Sequence, residues 1–95
     1  MSGQGIRQVT VLGAGTMGHG IAQAVAQAGL EVYLVDADEA ALERGFRQIR
    51  RNLDEGVARG KVTEAERAEA LQRLRGRTDI ETSAHTSDLV IEAVP

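Results

Sequence analysis

The sequence predicts an α/β chain: part of a doubly wound parallel sheet, with a helical hairpin inserted after the second strand. Three observations predict it. The β-branched run "IRQVTVL" (6–12) stops at the glycine turn "GAGTMG", which opens a helix. A second apolar run, "EVYLVD" (31–36), follows within the about 30 residues of one βαβ unit. Between it and the last apolar run, "DLVIEAV" (88–94), lie two helical stripes where a plain crossover has one.

Taken in order, the first helix is expected from Thr16 to Ala28, with Met17, Ile21, Val25 and Ala28 at helical spacing and Gly29 just past its end. The second strand ends at Asp36. Leu42, Phe46, Ile49, Leu53 and Val57 then form one apolar stripe on a long helix, capped by Asp38 and ended by Gly60. "TEAE" (63–66) has the form of a capping box, and the helix behind it is expected to carry Ala68, Leu71 and Leu74 and to close at Gly76. The hairpin therefore spans about 38–76. "RTDIETSAHTS" (77–87) is polar and reads as a short strand with a loop or half-turn of helix. No repeat or linker divides residues 1–95, which read as one domain whose sheet ends in an unpaired edge at "DLVIEAV", prone to self-association.

Composition removes several classes of function. Net charge is −3 with no basic block, so neither nucleic acid nor an anionic membrane surface is an expected partner. A chain with one tyrosine, one phenylalanine and no tryptophan has few surfaces on which bases could stack. The absence of cysteine removes disulfides, thiolate metal sites and a cysteine nucleophile. "MSGQGIRQ" lacks the apolar core of a signal peptide and no run approaches a membrane span, so the expected location is cytoplasmic.

The chemistry concentrates at the glycine turn. "GAGTMG" fits G-x-G-x-x-G, follows a strand and opens a helix, as a dinucleotide site requires. Gly13 permits the turn, Gly15 lets a pyrophosphate approach the backbone, and Gly18 lets the helix pack closely on the strand. Asp36 lies 18 residues beyond Gly18, near the offset at which an acid meets the adenine ribose. Its carboxylate can accept from ribose hydroxyls, worth roughly 1.5–3 kcal/mol. It also repels a 2′-phosphate, and the neighbouring Ala37 supplies no arginine, which favours NAD over NADP. The alternative is a set of turn and packing glycines beside a solvated aspartate. Other polar residues read more plainly: His19 as surface or packing, "RQIRR" as a solvated face, and Glu92 as a paired or end-of-strand glutamate. His85 has no second ligand nearby, so no metal site is expected.

Four segments, "VTVLGAGTMGHGIAQAVAQAG", "VYLVDAD", the hairpin with "GKVTEAE", and "DLVIEAVP", together resemble the N-terminal Rossmann domain of the 3-hydroxyacyl-CoA dehydrogenases, including the 3-hydroxybutyryl-CoA enzymes. The resemblance implies that Gly13, Ala14, Gly15, Thr16, Met17, Gly18 and Asp36 hold NAD, with backbone contacts from Ala93 and Val94 to its nicotinamide half. It implies that the hairpin covers CoA through Asn52, Arg59 and Lys61. The family reaction, in fatty-acid β-oxidation or short-chain acyl-CoA metabolism, passes hydride from an (S)-3-hydroxyacyl-CoA to NAD. Its histidine, glutamate, serine and asparagine lie downstream of "VIEAVP", as does the helical domain that completes the substrate site and the homodimer. No catalytic residue is therefore assigned in residues 1–95, which alone are expected to be inactive. The rival readings are a non-enzymatic dinucleotide-binding module (crystallin-like or regulatory), an NAD(P)-dependent 3-hydroxyacid dehydrogenase related to 6-phosphogluconate dehydrogenase, and a flavoprotein. The hairpin argues against the last two, with Asp36 against the 3-hydroxyacid dehydrogenase and "DLVIEAV" against the flavoprotein.

Overall fold

The computed structural model describes residues 5–93. Its elements are β1 (Gln8–Leu12), α1 (Thr16–Gln27), β2 (Glu31–Val35), α2 (Glu39–Ala58), α3 (Glu64–Arg73), β3 (Leu74–Arg77), α4 (Ile80–His85) and β4 (Leu89–Glu92). The strands form one parallel sheet in the order β3-β2-β1-β4. Successive connections thus move outward to β3 and then jump back across β1 to β4. That reversal leaves a crevice at the carboxyl ends of β1 and β4, where open α/β sheets bind ligands.

The two sheet faces are built differently. Val9, Val11, Val32 and Leu34 are buried among Ala22 and Ala26 of α1, Ile49 and Leu53 of α2, and Ala70 of α3. Thr10 faces the opposite way, where its hydroxyl donates to the Ser83 carbonyl of α4 (3.1 Å) and pairs with the Ser87 hydroxyl. Asp88 fastens the start of β4 to β1, its carboxylate accepting from the backbone N–H groups of Arg7 and Gln8, each at 3.0 Å. These bonds hold the Asp88 carboxyl below its ordinary pKa.

α2 begins at Asp38, whose carboxylate accepts from Ala40 N–H, and gives way to Gly60 as its stripe predicts. α3 opens on a complete capping box: Thr63 Oγ1 accepts from Glu66 N–H (3.0 Å), and Glu66 Oε1 from Thr63 N–H (2.9 Å). Arg73 then reaches back to donate to the Ala26 carbonyl at the end of α1 (3.0 Å), tying the hairpin to the first crossover.

Three expectations about packing need correction. α3 stops at Arg73, not Gly76, and Leu74–Arg77 forms a strand beside β2. Leu74 shares helical spacing with Leu71, but its extended backbone buries it at the edge of the sheet, opposite Val32. Ala68 faces solvent, and Ala70 takes the core position. On α1 the buried line is Gly18, Ala22 and Ala26, with Ile21 and Val25 half-buried and Met17 and Ala28 exposed. The smallest side chains face the sheet because they let the helix lie close to it. The apolar edge at "DLVIEAV" is present in β4, with Leu89 41% and Val90 39% exposed. Val94 lies outside the described residues.

Candidate functional site

β1 runs into Gly13, whose φ of 103° turns the chain, and α1 starts three residues later. The turn is pinned on both sides: Gly13 N–H donates to the Val35 carbonyl (2.7 Å), and Ala93 N–H to the Leu12 carbonyl (2.8 Å). A Cβ on Gly18 would lie 1.6 Å from the Gly13 carbonyl oxygen, so only hydrogen fits where the helix crosses the strand end. Ala93 is buried beside that crossing.

Gly15 behaves differently. A Cβ there would meet nothing within 4 Å, so the residue faces an open cradle. Gly15 is also the N-cap of α1, supplies no side-chain acceptor, and is followed by a first turn with no acid. The first N–H groups of α1 therefore keep the orphan donors and partial positive charge of a helix start. His19 does not cap them; its Nδ1–H donates to the Gly15 carbonyl one turn back (2.8 Å).

Asp36, just past β2, completes the arrangement. Its Oδ2 accepts from Ala14 N–H (3.0 Å) and its Oδ1 from Asp38 N–H (2.9 Å). Those bonds hold the carboxyl below its ordinary pKa, the Ala14 bond most strongly, with a smaller contribution from Arg44 and against a small cost of burial. A carboxylate so fixed keeps lone pairs for two vicinal hydroxyls. Open cradle, uncapped helix and fixed carboxylate together fit a diphosphate joined to a ribose.

The profile of the family described as "3-hydroxyacyl-CoA dehydrogenase, NAD binding domain" matches residues 8–95. The chain belongs to this NAD-binding domain family. It is 45% identical over 89 residues to a 3-hydroxybutyryl-CoA dehydrogenase of Mycobacterium tuberculosis, covering 94% of this chain and 31% of that protein. It is 40% identical to a fatty acid oxidation complex subunit alpha of Psychrobacter cryohalolentis, over 94% of this chain and 12% of that one. Among solved structures, the (S)-3-hydroxybutyryl-CoA dehydrogenase of Ralstonia eutropha superposes with a TM-score of 0.90 at 44% identity, over 96% of this chain and 32% of that one. The chain thus spans about a third of the length of these dehydrogenases.

Within this NAD-binding domain, the structure brings Gly13 to Gly18, Asp36 and Ala93 to one end of the sheet. The three residues expected to meet CoA are spread along the hairpin. Asn52 bridges the helices, accepting from Gln48 (2.9 Å) and donating to Gln23 of α1 (3.0 Å). Arg59 is exposed at the end of α2. Lys61 lines a cleft of about 400 Å³ with Gly29 and Arg73, at the far end of α1 from the glycine turn. A groove of about 520 Å³ between α2 and β3 is lined by Leu42, Gly76 and Arg77 and includes no residue of the glycine turn. Glu92 is exposed and has no ion pair among the described residues.

Sequence reasoning missed Arg44 and Gln48, which α2 places against the glycine turn. One signal was available. Gly45 sits in mid-helix, and a Cβ there would lie 2.9 Å from the Ala14 carbonyl oxygen, so it marks a close approach of α2 to the turn. Among the described residues no cluster of metal-ligating side chains forms, and no helix is long and apolar enough to cross a membrane.

Proposed function

We propose that this chain is the NAD-holding portion of an oxidoreductase that interconverts (S)-3-hydroxyacyl-CoA and 3-ketoacyl-CoA. The observation that carries the reading is the start of α1: uncapped, acid-free, opening on the bare Gly15, and flanked by a fixed aspartate. Gly13 to Gly18 would seat the diphosphate on backbone N–H groups, with Ala14, Thr16 and Met17 shaping the loop. Asp36 would accept from the adenine ribose and disfavour a 2′-phosphate. The Ala93 backbone would border the nicotinamide half. When bound, NAD supplies the hydride acceptor.

In a protein of the relatives' full length, Asn52, Arg59 and Lys61 would meet the CoA moiety, and the proton-handling groups would come from outside residues 1–95. Such a protein would be a cytoplasmic homodimer with no nucleic-acid partner. Its work would lie in fatty-acid β-oxidation or short-chain acyl-CoA metabolism, as the names of its relatives suggest.

Calorimetric titration of NAD tests the site. The wild-type chain is expected to bind NAD, and Asp36→Ala to weaken binding at least about tenfold, the loss of charge-assisted hydrogen bonds. A chain folded by circular dichroism that takes up no NAD would overturn the assignment.

A further inference from the structure

The NAD preference read from Asp36 assumes that no cation stands near the adenine ribose. α2 brings one, Arg44, beside the glycine turn, eight residues beyond Asp36. Arg44, in the second turn of α2, lines a cleft of about 230 Å³ shared with Ala14, Gly15 and Thr16 of the glycine turn. Gly45 lets α2 come this close, because a side chain there would strike the Ala14 carbonyl. The same Ala14 donates its N–H to Asp36, so the carboxylate and the cleft that Arg44 lines adjoin at that residue. Arg67 and Arg75 are each held by a carboxylate at 2.7 Å, whereas Arg44 has none within ion-pair distance among the described residues.

We propose that Arg44 is a second determinant of cofactor choice: a cation for a phosphate on the adenosine ribose, opposed by Asp36. The inference rests on the dinucleotide reading of the glycine turn. A ribose 2′-hydroxyl needs an acceptor, which Asp36 supplies; a 2′-phosphate needs donors and positive charge, which a guanidinium supplies. The chain therefore carries the polar partner for each cofactor, and its selectivity is the balance between them. Asp36 wins because it is fixed by two backbone N–H groups, while Arg44 is exposed and reaches in from solvent.

The test is the ratio of the dissociation constants for NADP and NAD, measured by calorimetry on chains shown to be folded. Arg50 is the control for net charge, since it lines the groove on the other side of α2 with Phe46 and Arg47. Arg44→Ala is expected to raise the NADP/NAD ratio about three- to tenfold, and Arg50→Ala to leave it unchanged. Asp36→Ser is expected to lower the ratio, and adding Arg44→Ala in that background to remove about tenfold of the gained NADP affinity. Equal effects of Arg44→Ala on both cofactors, or equal effects of Arg44→Ala and Arg50→Ala, would overturn the proposal while leaving the NAD site intact. Failure of the wild-type chain to bind NAD would instead sink the site reading and this inference with it.

Discussion

The starts of α1 and α3 are made by opposite choices. At α3, Thr63 and Glu66 satisfy one another's backbone N–H groups, and Glu64 adds a further acid to the first turn. α2 and α4 are capped by Asp38 and Asp79. At α1, glycine stands where each of the others has a capping side chain, and no acid follows. A glycine N-cap in place of Ser, Thr or Asp costs only a few tenths of a kcal/mol, and forgoing a first-turn acid about as much again. Against a total stability of the order of 5–15 kcal/mol that loss is small, so glycine leaves the N–H groups open at little cost to the fold. The difference separates two uses of one physical feature. Orphan N–H groups satisfied by the chain's own side chains stabilise the fold, while those left open are available to an external anion.

The largest expected effect comes from within the α1 turn itself, where two glycines should respond in opposite ways. Gly18→Ala places a Cβ 1.6 Å from a carbonyl oxygen and 2.7 Å from its carbon, so backbone must move. A loss of at least about 4 kcal/mol is expected, enough to lower the melting temperature drastically or unfold the chain. Gly15→Ala meets no atom and keeps a φ of −73° that alanine adopts freely. It should cost less than about 1 kcal/mol yet weaken NAD binding at least about tenfold, because the methyl fills the cradle. Thermal melts paired with NAD titrations separate the two. If Gly15→Ala binds NAD normally, the cradle does not seat the diphosphate.

How far the sequence reveals this depends on whether the signal is local. The strand–glycine–helix order, Asp36, the Asp38 cap and the Thr63 box are all written within a few residues, and each is found in the structure. β3 is not written that way. Its four residues, "LRGR", show no alternation, and Leu74 continues the helical spacing of Leu71. Pairing with β2, a tertiary event, makes it a strand. The buried line of α1 is hidden for a related reason: hydrophobicity singles out Ile21 and Val25, but closeness to the sheet selects Gly18, Ala22 and Ala26. At the site, no linear motif links residues 14–16 with Arg44 and Gln48. Gly45 is the one trace of that contact in the sequence, and its meaning appears only once Ala14 is seen against it.

Asp36 crosses the divide between the two uses, since its carboxylate both holds Ala14 and faces the cradle region. Its folded pKa is depressed, first by the Ala14 N–H and then by that of Asp38. The stability it adds is therefore complete above its unfolded pKa of about 3.9 and is lost as pH falls through the lower folded value. Asp36→Asn should be less stable than wild type in urea denaturation at pH 7, and the gap should narrow below about pH 4. A gap of the same size at both pH values would mean that shape, rather than charge, fixes the turn.

The smallest effect should come from the capped end. Thr63→Ala removes the acceptor for Glu66 N–H, while the Glu66 carboxylate still accepts from the backbone N–H of residue 63. The expected cost is about 1 kcal/mol, or a fall of roughly 4–8 °C in melting temperature for a domain of this size. Thr63 lies beyond the hairpin turn, and the cleft nearest it shares no residue with the glycine turn, so NAD affinity should not change. Set beside Gly15→Ala, this variant completes the contrast: one helix start whose alteration is read in stability, and one whose alteration is read in binding. If Thr63→Ala also weakened NAD binding, the hairpin would be coupled to the cofactor end of the sheet. The contacts that would transmit it are already visible, in Arg73 on the Ala26 carbonyl and Asn52 on Gln23, both joining the hairpin to α1.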